Sequence, residues 1–440
     1  MIKTLNRTFI PELGTLRRGK VRDIYEQNDR LILVASDRVS VFDYILEEQI
    51  PNKGAILTGI SNYWFEQTKD IIENHLIAHP DPSIVVAKKC QPLPIEVIVR
   101  GYITGSMWRD YAEGKREKSG VALPEGLEKN QKLEAAILTP STKAEQGEHD
   151  EDISREEILK RGLVSEELWL EIERVALALY ARGQELCAKN NLILVDTKYE
   201  FGLDQDGKLI LIDEIHTPDS SRFWLAGDRG QEELKSPDKE YLRQWFLKQN
   251  YSGSGDLPRL PQEVIDEAAR RYLDVYSQIT GKDFSALEAS PLERMLDNLK
   301  HSKMIRGGVA VILAGSESDA PFVQKIQAKL EELSVANQVI YGSAHKNTQQ
   351  VMRTLDLFNQ SDEAIVYITV AGRSNALSGV VAANTHWPVI ACPPFKDYSD
   401  YAVNIHSTLQ MPSKVPTLTV IDPANAALAT ERILRIANRK

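Results

Sequence analysis

Every residue from Val309 to Ala314 is apolar, and the run stops at once in Gly315-Ser-Glu-Ser-Asp319. The same form returns at Gln338-Val-Ile-Tyr-Gly-Ser-Ala-His345, at Glu363-Ala-Ile-Val-Tyr-Ile-Thr-Val-Ala-Gly-Arg373 and at Trp387-Pro-Val-Ile-Ala-Cys392. A strand that is apolar on both faces has to be covered on both, which points to a parallel sheet sandwiched by helices. Ala320 to Leu333, amphipathic, supplies one of them. The expectation for residues 306–440 is an α/β doubly wound parallel sheet whose ligand lies beyond the carboxyl ends of the strands. Three of those ends carry Ser316, Ser318 and Asp319; Ser343, His345 and Lys346; and Arg373, Ser374 and Asn375. His345 is the only histidine of the three clusters, and an imidazole can shuttle a proton near neutral pH. The plainer reading is a helix-capping or buried histidine.

The preceding 300 residues follow a different plan. Asn191-Leu-Ile-Leu-Val-Asp-Thr-Lys-Tyr-Glu-Phe-Gly202 is answered by Ile210-Leu-Ile-Asp213, with Asp204-Gln-Asp-Gly207 as the turn between them, a β-hairpin. Alternation puts Asp196, Lys198 and Glu200 on one face, and Asp213 closes the second run. Magnesium is commonly held by one or two carboxylates plus phosphate oxygens, so Glu200 and Asp213 are the natural ligands and Lys198 a charge partner for a nucleotide or substrate. The rival is a solvated hairpin whose polar face meets water. Thr217-Pro-Asp-Ser-Ser-Arg222 favours a site, because hydroxyls, the Asp219 carboxylate and a guanidinium bunch there in a loop.

Other segments point the same way. Gly14–Tyr25 reads as a basic turn entering a strand, with Leu31–Arg38 as hairpin partner; amides near Gly19, with Lys20 and Arg22, could cradle a triphosphate, although the spacing is neither a Walker loop nor a Rossmann turn. Ile95–Ser106 is a buried strand turning into a helix, with Arg100 as an anion partner and Ser106 at the helix start. Thr139–Glu151 is too polar for a core and reads as a loop that closes over a charged substrate. Helical spacing covers Ala55–His75, Glu166–Asn190, Pro261–Thr280 and Ser290–Leu299. The domains expected are 1–285 and 306–440, joined by a helical linker over 286–305.

Composition narrows the function. The 440 residues carry a net charge of −10 with both signs interspersed, which disfavours non-specific nucleic-acid binding. No apolar run approaches the roughly 18 residues of a membrane helix, and the N-terminus lacks a signal-peptide pattern, so a cytoplasmic protein is expected. Cys90, Cys187 and Cys392 have no CxxC spacing and read as small buried residues rather than a disulfide framework or zinc site.

On these motifs, residues 1 to about 285 resemble the phosphoribosylaminoimidazole-succinocarboxamide synthase family in its longer form. The resemblance rests on Gly19-Lys-Val-Arg-Asp-Ile-Tyr25, Ser36-Asp-Arg38, Arg100-Gly-Tyr-Ile-Thr-Gly-Ser106, Thr139–Asp150, Leu194–Gly202 and Asp213–Arg222. From about 306 onward the chain resembles aminoimidazole ribonucleotide carboxylase, through Gly315–Asp319, Ser343-Ala-His-Lys346 and Ala371-Gly-Arg-Ser-Asn375. The resemblance implies an α+β synthetase fold with an ATP cleft between two sheet-containing lobes, followed by a flavodoxin-like three-layer sandwich. It implies a bifunctional enzyme of purine biosynthesis with ATP and Mg²⁺ as cofactors. The second domain would carboxylate aminoimidazole ribonucleotide, and the first would activate that carboxylate as an acyl phosphate for attack by the amine of L-aspartate. By carry-over, Glu200 and Asp213 hold the metal. Lys20, Arg22 and Asp196 belong to the nucleotide site, with Lys198 and Asp219 at the reaction centre. Arg100, Ser106 and Arg222 bind substrate, as do Ser316, Ser318, Asp319, Ser343, Lys346, Arg373, Ser374 and Asn375 around His345. Lys346 and the Gly-Arg-Ser-Asn run match the animal-type, CO₂-dependent carboxylase. A mutase that moves a carboxylate off the exocyclic nitrogen stays open as the alternative, as does a catalytically silent domain that only oligomerises. The carboxylase family implies a homo-octamer through the C-terminal domain.

Overall fold

The computed structural model describes residues 3–42, 44–143, 151–228, 240–285, 290–372 and 375–438. The chain divides into two compact units, Met1–Arg7 with Arg17–Met295, and Thr8–Leu16 with Leu296–Lys440. The division falls inside the span expected as a linker.

In the first unit the chain runs through strands β1 (Thr15–Arg18), β2 (Arg22–Glu26), β3 (Arg30–Ala35), β4 (Arg38–Val41) and β5 (Tyr44–Gln49) into helix α1 (Lys53–Thr68). Next come β6 (Leu76–Asp81), β7 (Ile84–Lys88), the long β8 (Gln91–Tyr102) and α2 (Gly105–Ala112). β9 (Glu117–Lys118), β10 (Val121–Ala122), β11 (Lys132–Leu138), β12 (Ser141–Thr142), α3 (Arg155–Lys160) and α4 (Glu166–Lys189) lead to β13 (Leu192–Leu203), β14 (Leu209–Ile212) and β15 (Ser221–Leu225). Helices α5 (Glu240–Lys248) and α6 (Gln262–Thr280) complete this part, and the division between the units falls within α7 (Pro291–His301). One antiparallel sheet has the order β1-β2-β3-β7-β6, and a second has β11-β8-β13-β14, with β12 on β8 and β15 on β13.

The hairpin expected around residues 204–207 is present as β13 and β14, with Glu200 opposite Ile212. What its alternation does is less simple than the sequence suggests. Leu192 and Leu194 pack into the same core as Tyr199 and Phe201, although the first pair is even-numbered and the second odd. The pairing with β15 shifts register between Leu194 and Asp196, and there the side-chain phase inverts. A bulge of one residue moves every later side chain to the other face. Without it, Asp196, Lys198 and Glu200 would continue the face that Leu192 and Leu194 bury against α4.

In the second unit β16 (Gly308–Ala314), α8 (Ala320–Glu332), β17 (Ala336–Tyr341), α9 (Thr348–Phe358), β18 (Ala364–Val370), α10 (Ala376–Ala383), β19 (Val389–Ala391), α11 (Tyr398–Leu409), β20 (Leu418–Thr419) and α12 (Pro423–Ala437) alternate. The five strands are parallel in the order β17-β16-β18-β19-β20. Ala310, Ile312 and Ala314 meet α8 and α12 on one face. On the other, Val309, Val311 and Leu313 meet α9 and α10. The doubly covered parallel sheet expected from the apolar runs is therefore present. The N-terminal segment Thr8–Leu16 is part of this unit. Phe9 exchanges both backbone bonds with Asp362, its amide donating to Oδ2 at 2.6 Å and its carbonyl accepting from the Asp362 amide at 2.9 Å. The Glu12 amide donates to Glu363 Oε2 at 2.9 Å, while the Glu12 carboxylate accepts from the amides of Arg306, Gly307 and Gly308 at 2.6 to 3.1 Å. Glu363 is 3% exposed, and burial, followed by the Glu12 carboxylate beside it, pushes it up to about 9.

Of the cysteines, Cys187 and Cys392 are buried as expected, whereas Cys90 is only partly so. Among the described residues no helix is long and apolar enough to cross a membrane.

Candidate functional site

The segment Ser36-Asp-Arg38 acts as a brace. Ser36 Oγ donates to the Val21 carbonyl at 2.7 Å, and Arg38 donates to the Lys20 carbonyl at 3.0 Å and to the Asp23 carboxylate at 3.0 Å. Asp37 accepts from the amides of Leu5 and Gly54 at 2.8 and 3.1 Å. These three residues fix the loop around Lys20 and the start of α1, and Lys20 and Val21 of that loop, with Ser40, Val41 and Phe42, form one wall of a cleft of about 580 Å³. Lys20, Asp196, Asp219 and Arg222 all line it, together with Glu214, Glu240 and Arg243.

The opposite wall is the charged face of β8, β13 and β15. Asp196 stands between Arg100 on β8 and Arg222 on β15. Its carboxylate lies 2.5 Å from Arg222 Nη1 and 3.5 Å from Arg100 Nη1. Arg100 also donates to Thr139 Oγ1 at 2.8 Å. Burial, offset by Asp196, lowers the Arg100 pKa, with Arg222 adding to the fall. Two guanidinium groups around one carboxylate offer planar donor pairs suited to a phosphate or a second carboxylate. Arg222 reaches this place across Gly105, where a Cβ would lie 2.7 Å from the guanidinium and the backbone already has φ +57. Ser106 is half-buried at the start of α2, beside that crossing.

Farther along the same sheet the charge inverts. Glu200 pairs with Glu96 of β8 across the ladder. Lys198 bridges them, at 2.5 Å from Glu96 and 2.8 Å from Glu200, and Lys143 reaches the other Glu200 oxygen. Burial works against the Lys198 charge, but Glu200, Glu96 and Asp213 hold it well above the usual lysine range. It is an ammonium placed to orient an anion. Asp213 has φ +67 and Glu214 follows it, a turn that sends both carboxylates to Arg22. Burial alone would raise Asp213; Arg22, Lys198 and Lys143 outweigh it and keep the group ionised. Burial instead raises Glu214.

Arg22, expected among the nucleotide contacts beside Lys20, has its guanidinium engaged by Asp213 and Glu214 in this structure. Glu200 and Asp213 suit a hard cation, since at least Asp213 is kept anionic, and Lys143, 38% exposed at its side chain, can withdraw from Glu200. Among the described residues no group of three or more His, Cys, Asp or Glu forms a ready metal cage. A magnesium ion that arrives with phosphate oxygens does not need one.

The loop Thr217–Ser221 is closed by its own bonds. Thr217 Oγ1 accepts from the amides of Asp219 and Ser220 at 3.3 Å each, and Ser221 Oγ lies 2.8 Å from Thr197 Oγ1. That turn carries Asp219 to the cleft, where Lys53 Nζ lies 2.7 Å from Oδ2 and the Tyr272 hydroxyl donates to Oδ1 at 2.8 Å.

In the second unit, the carboxyl ends of β16, β17 and β18 open on a cavity of about 1460 Å³ lined by Ser316, Ser318, Asp319, Ser343, His345 and Lys346. Ser316 Oγ caps the short turn by accepting from the Ser318 amide at 3.2 Å and lies 2.9 Å from Ser318 Oγ. Burial raises Asp319 above the usual carboxylate range. Ser343 Oγ accepts from the amides of His345 and Lys346 at 3.3 Å, shaping the loop that presents His345. Arg373 and Ser374 lie outside the described residues. Asn375, expected among the substrate contacts, is 3% exposed, caps α10 through the Ser378 amide and donates to Thr408 Oγ1 at 2.9 Å.

Sequence reasoning missed Glu96, Lys53, Glu214, Tyr272 and Arg243 in the first site and Lys396 in the second. Glu96 alternates with Arg100 along one strand and could have been found by the same period-two argument that placed Lys198. Lys396 follows the end of the fourth apolar run. Tyr272 had no signal beyond its place in an amphipathic helix.

Comparison with known proteins finds two families along the chain. The SAICAR synthetase family model matches residues 15–260, and that for AIR carboxylase matches residues 309–440. A phosphoribosylaminoimidazole-succinocarboxamide synthase of Flavobacterium psychrophilum is 45% identical over 304 residues, covering 67% of this chain and 96% of the relative. Its counterpart in Legionella pneumophila is also 45% identical, over 311 residues, 68% of this chain and 98% of the relative. The structure of a SAICAR synthase from Saccharomyces cerevisiae complexed with SAICAR is 34% identical with a TM-score of 0.58, covering 64% of this chain and 100% of that one. The chain thus belongs to the SAICAR synthetase family, and behind that ligase it carries an AIR carboxylase domain, as a bifunctional enzyme of purine biosynthesis.

Proposed function

We propose that residues 306–440 carboxylate aminoimidazole ribonucleotide with CO₂ and that residues 1–285 join the product to L-aspartate, using ATP and Mg²⁺ and releasing ADP and phosphate. The observation that carries the ligase reading is the change of sign along one sheet face. Arg100 and Arg222 around Asp196 would take the substrate's phosphate or carboxylate, with Ser106 beside them. Glu200 and Asp213 would hold the metal, with Lys20 on the ATP phosphates. The metal would supply positive charge that reduces the repulsion between a carboxylate and a triphosphate. Lys198, fixed as a cation, orients the ring carboxylate toward the phosphoryl group. Asp219 faces the amine of aspartate and accepts its hydrogen bonds as the amide forms.

In the second domain His345 would take the ring proton that carboxylation displaces, with Ser316, Ser318, Asp319, Ser343 and Lys346 around the ribonucleotide and Arg373 and Ser374 completing its phosphate contacts. The strand order β17-β16-β18-β19-β20 suits a flavodoxin-like sandwich. Exposed Tyr398, Val403, Leu409 and Leu418 support association of these domains, as a cytoplasmic homo-octamer. A light-scattering mass of one chain would refute the octamer.

The test supplies purified protein with aminoimidazole ribonucleotide and bicarbonate, with ATP, Mg²⁺ and L-aspartate added or withheld. Ring carboxylate formed without ATP, and converted to the succinocarboxamide only with ATP and aspartate, is the expected result. Succinocarboxamide formed only from ready-made ring carboxylate refutes the CO₂ reading. The N-carboxylated isomer then separates a mutase from a silent domain.

A further inference from the structure

We infer that Lys53 and Tyr272 are positioning residues for the ligase reaction, acting through Asp219, which they hold by one carboxylate oxygen each from two different helices. The inference rests on the reading above that Asp219 faces the aspartate amine. Its basis is geometric. Lys53 is 0% exposed at the first position of α1, and its ammonium lies 2.7 Å from Asp219 Oδ2. A lysine so deeply buried is rare and needs a paired charge, which the Asp219 carboxylate supplies. Tyr272, 3% exposed on α6, spends its hydroxyl on Asp219 Oδ1 at 2.8 Å and lets the Lys53 ammonium sit 5.7 Å from the centre of its ring. A carboxylate held at both oxygens is restrained from rotating, and Asp219 lines the cleft at the turn Thr217–Ser221.

The two helices have to be close for both donors to reach one carboxylate. Gly59 secures this: a Cβ there would lie 2.8 Å from Cε2 of Tyr276, one turn beyond Tyr272 on α6. No other residue in place of Gly59 lets α6 approach α1 this far without displacing that ring. The charged groups that share this corner are Arg22, Asp213 and Glu214, with Lys20, Asp196, Arg222, Glu240 and Arg243 on the cleft wall, and Glu214 feels both Asp219 and Lys53.

The test measures succinocarboxamide formation by the full chain, with carboxylation by the other unit and thermal unfolding as controls for folding. Tyr272→Phe removes one oxygen and no volume. It is expected to lower kcat about tenfold, since a hydrogen bond to a charged group is lost, while the KM for ATP changes less than twofold. Hydrogen bonds favour the ionised carboxylate, so their loss is expected to move the acid limb of the kcat/KM profile to higher pH. A purely structural tyrosine would leave that limb in place. Lys53→Met is expected to be far more damaging, with Lys53→Arg restoring part of kcat. If Lys53→Met does not fold, Tyr272→Phe decides alone. Wild-type kcat and an unmoved limb in Tyr272→Phe, with Asp219→Asn inactive, overturn the positioning role. An active Asp219→Asn overturns the reading on which it rests.

Discussion

Replacing Glu363 by glutamine should make the second unit more stable at neutral and mildly alkaline pH and flatten its pH dependence. In the folded chain Glu363 is buried against Glu12, and its pKa rises from the ordinary 4.5 to about 9. Between those values the native state keeps a proton that the unfolded chain has released, so folding stability falls as pH rises. The contribution is fully present below about pH 4.5 and is lost progressively up to about 9. A pH of 7.5 lies about three units above the ordinary value and still below the raised one, a penalty on the order of 4 kcal/mol relative to pH 4.5. Glutamine stays neutral at every pH and keeps an oxygen for the Glu12 amide. Hydrogen exchange of the Gly308–Ala314 amides, corrected for the intrinsic rate at each pH, reads the opening free energy of the central strand. Wild-type protein should lose protection between pH 6 and 9, and Glu363→Gln should not. Equal slopes for the two proteins would show that Glu363 is already ionised at neutral pH and would refute the reasoning.

Further perturbations separate the two sites. Asp213→Ala or Glu200→Ala should abolish amide formation and spare carboxylation, and His345→Ala should do the reverse; product analysis of both reactions checks this, and loss of both activities in any one variant would contradict the assignment. Gly105→Ala adds a methyl group 2.7 Å from the Arg222 guanidinium at a left-handed position, so the KM for the ring carboxylate should rise about tenfold while Tm falls by a few degrees. Ile312→Ala, at a fully buried site on the central strand, should cost about 2–5 kcal/mol in denaturant unfolding of the second unit and leave ligase kinetics unchanged.

The fully apolar runs made the second fold legible, because a strand buried on both faces admits few architectures. Its last helices, α11 and α12, and the short β20 were not named in advance, since amphipathic patterns near a chain end carry no partner information. The hairpin of β13 and β14 was equally plain, with its turn at Asp204–Gly207. The face its charges occupy was right for a reason the sequence did not display: the bulge at Leu194–Asp196 inverts the phase, and simple alternation would have put those charges beside Leu192. Arg22 and Asn375 show the opposite limit. Both have the chemistry of a ligand contact, and both are occupied by the protein itself, Arg22 by Asp213 and Glu214, Asn375 by a helix end and Thr408. Residue type and local spacing cannot separate a group that meets substrate from one that braces its neighbour. Only the burial of Lys53 and its approach to Asp219, brought together over 166 positions, make that distinction.

The hold that Glu12 and Phe9 have on Asp362 and Glu363 spans more than 350 positions of sequence. Translation delivers its two ends at opposite extremes of time. At about 5–20 residues per second the segment Thr8–Leu16 leaves the ribosome tens of seconds before β18 exists. The first unit can condense while the second is still being made, but the last parallel sheet has to recruit a strip of chain synthesised before anything else. Contacts of such separation are slow to close. Maturation of the carboxylase half should therefore lag behind completion of its own residues, and an artificial gene that begins at the carboxylase would omit part of its fold.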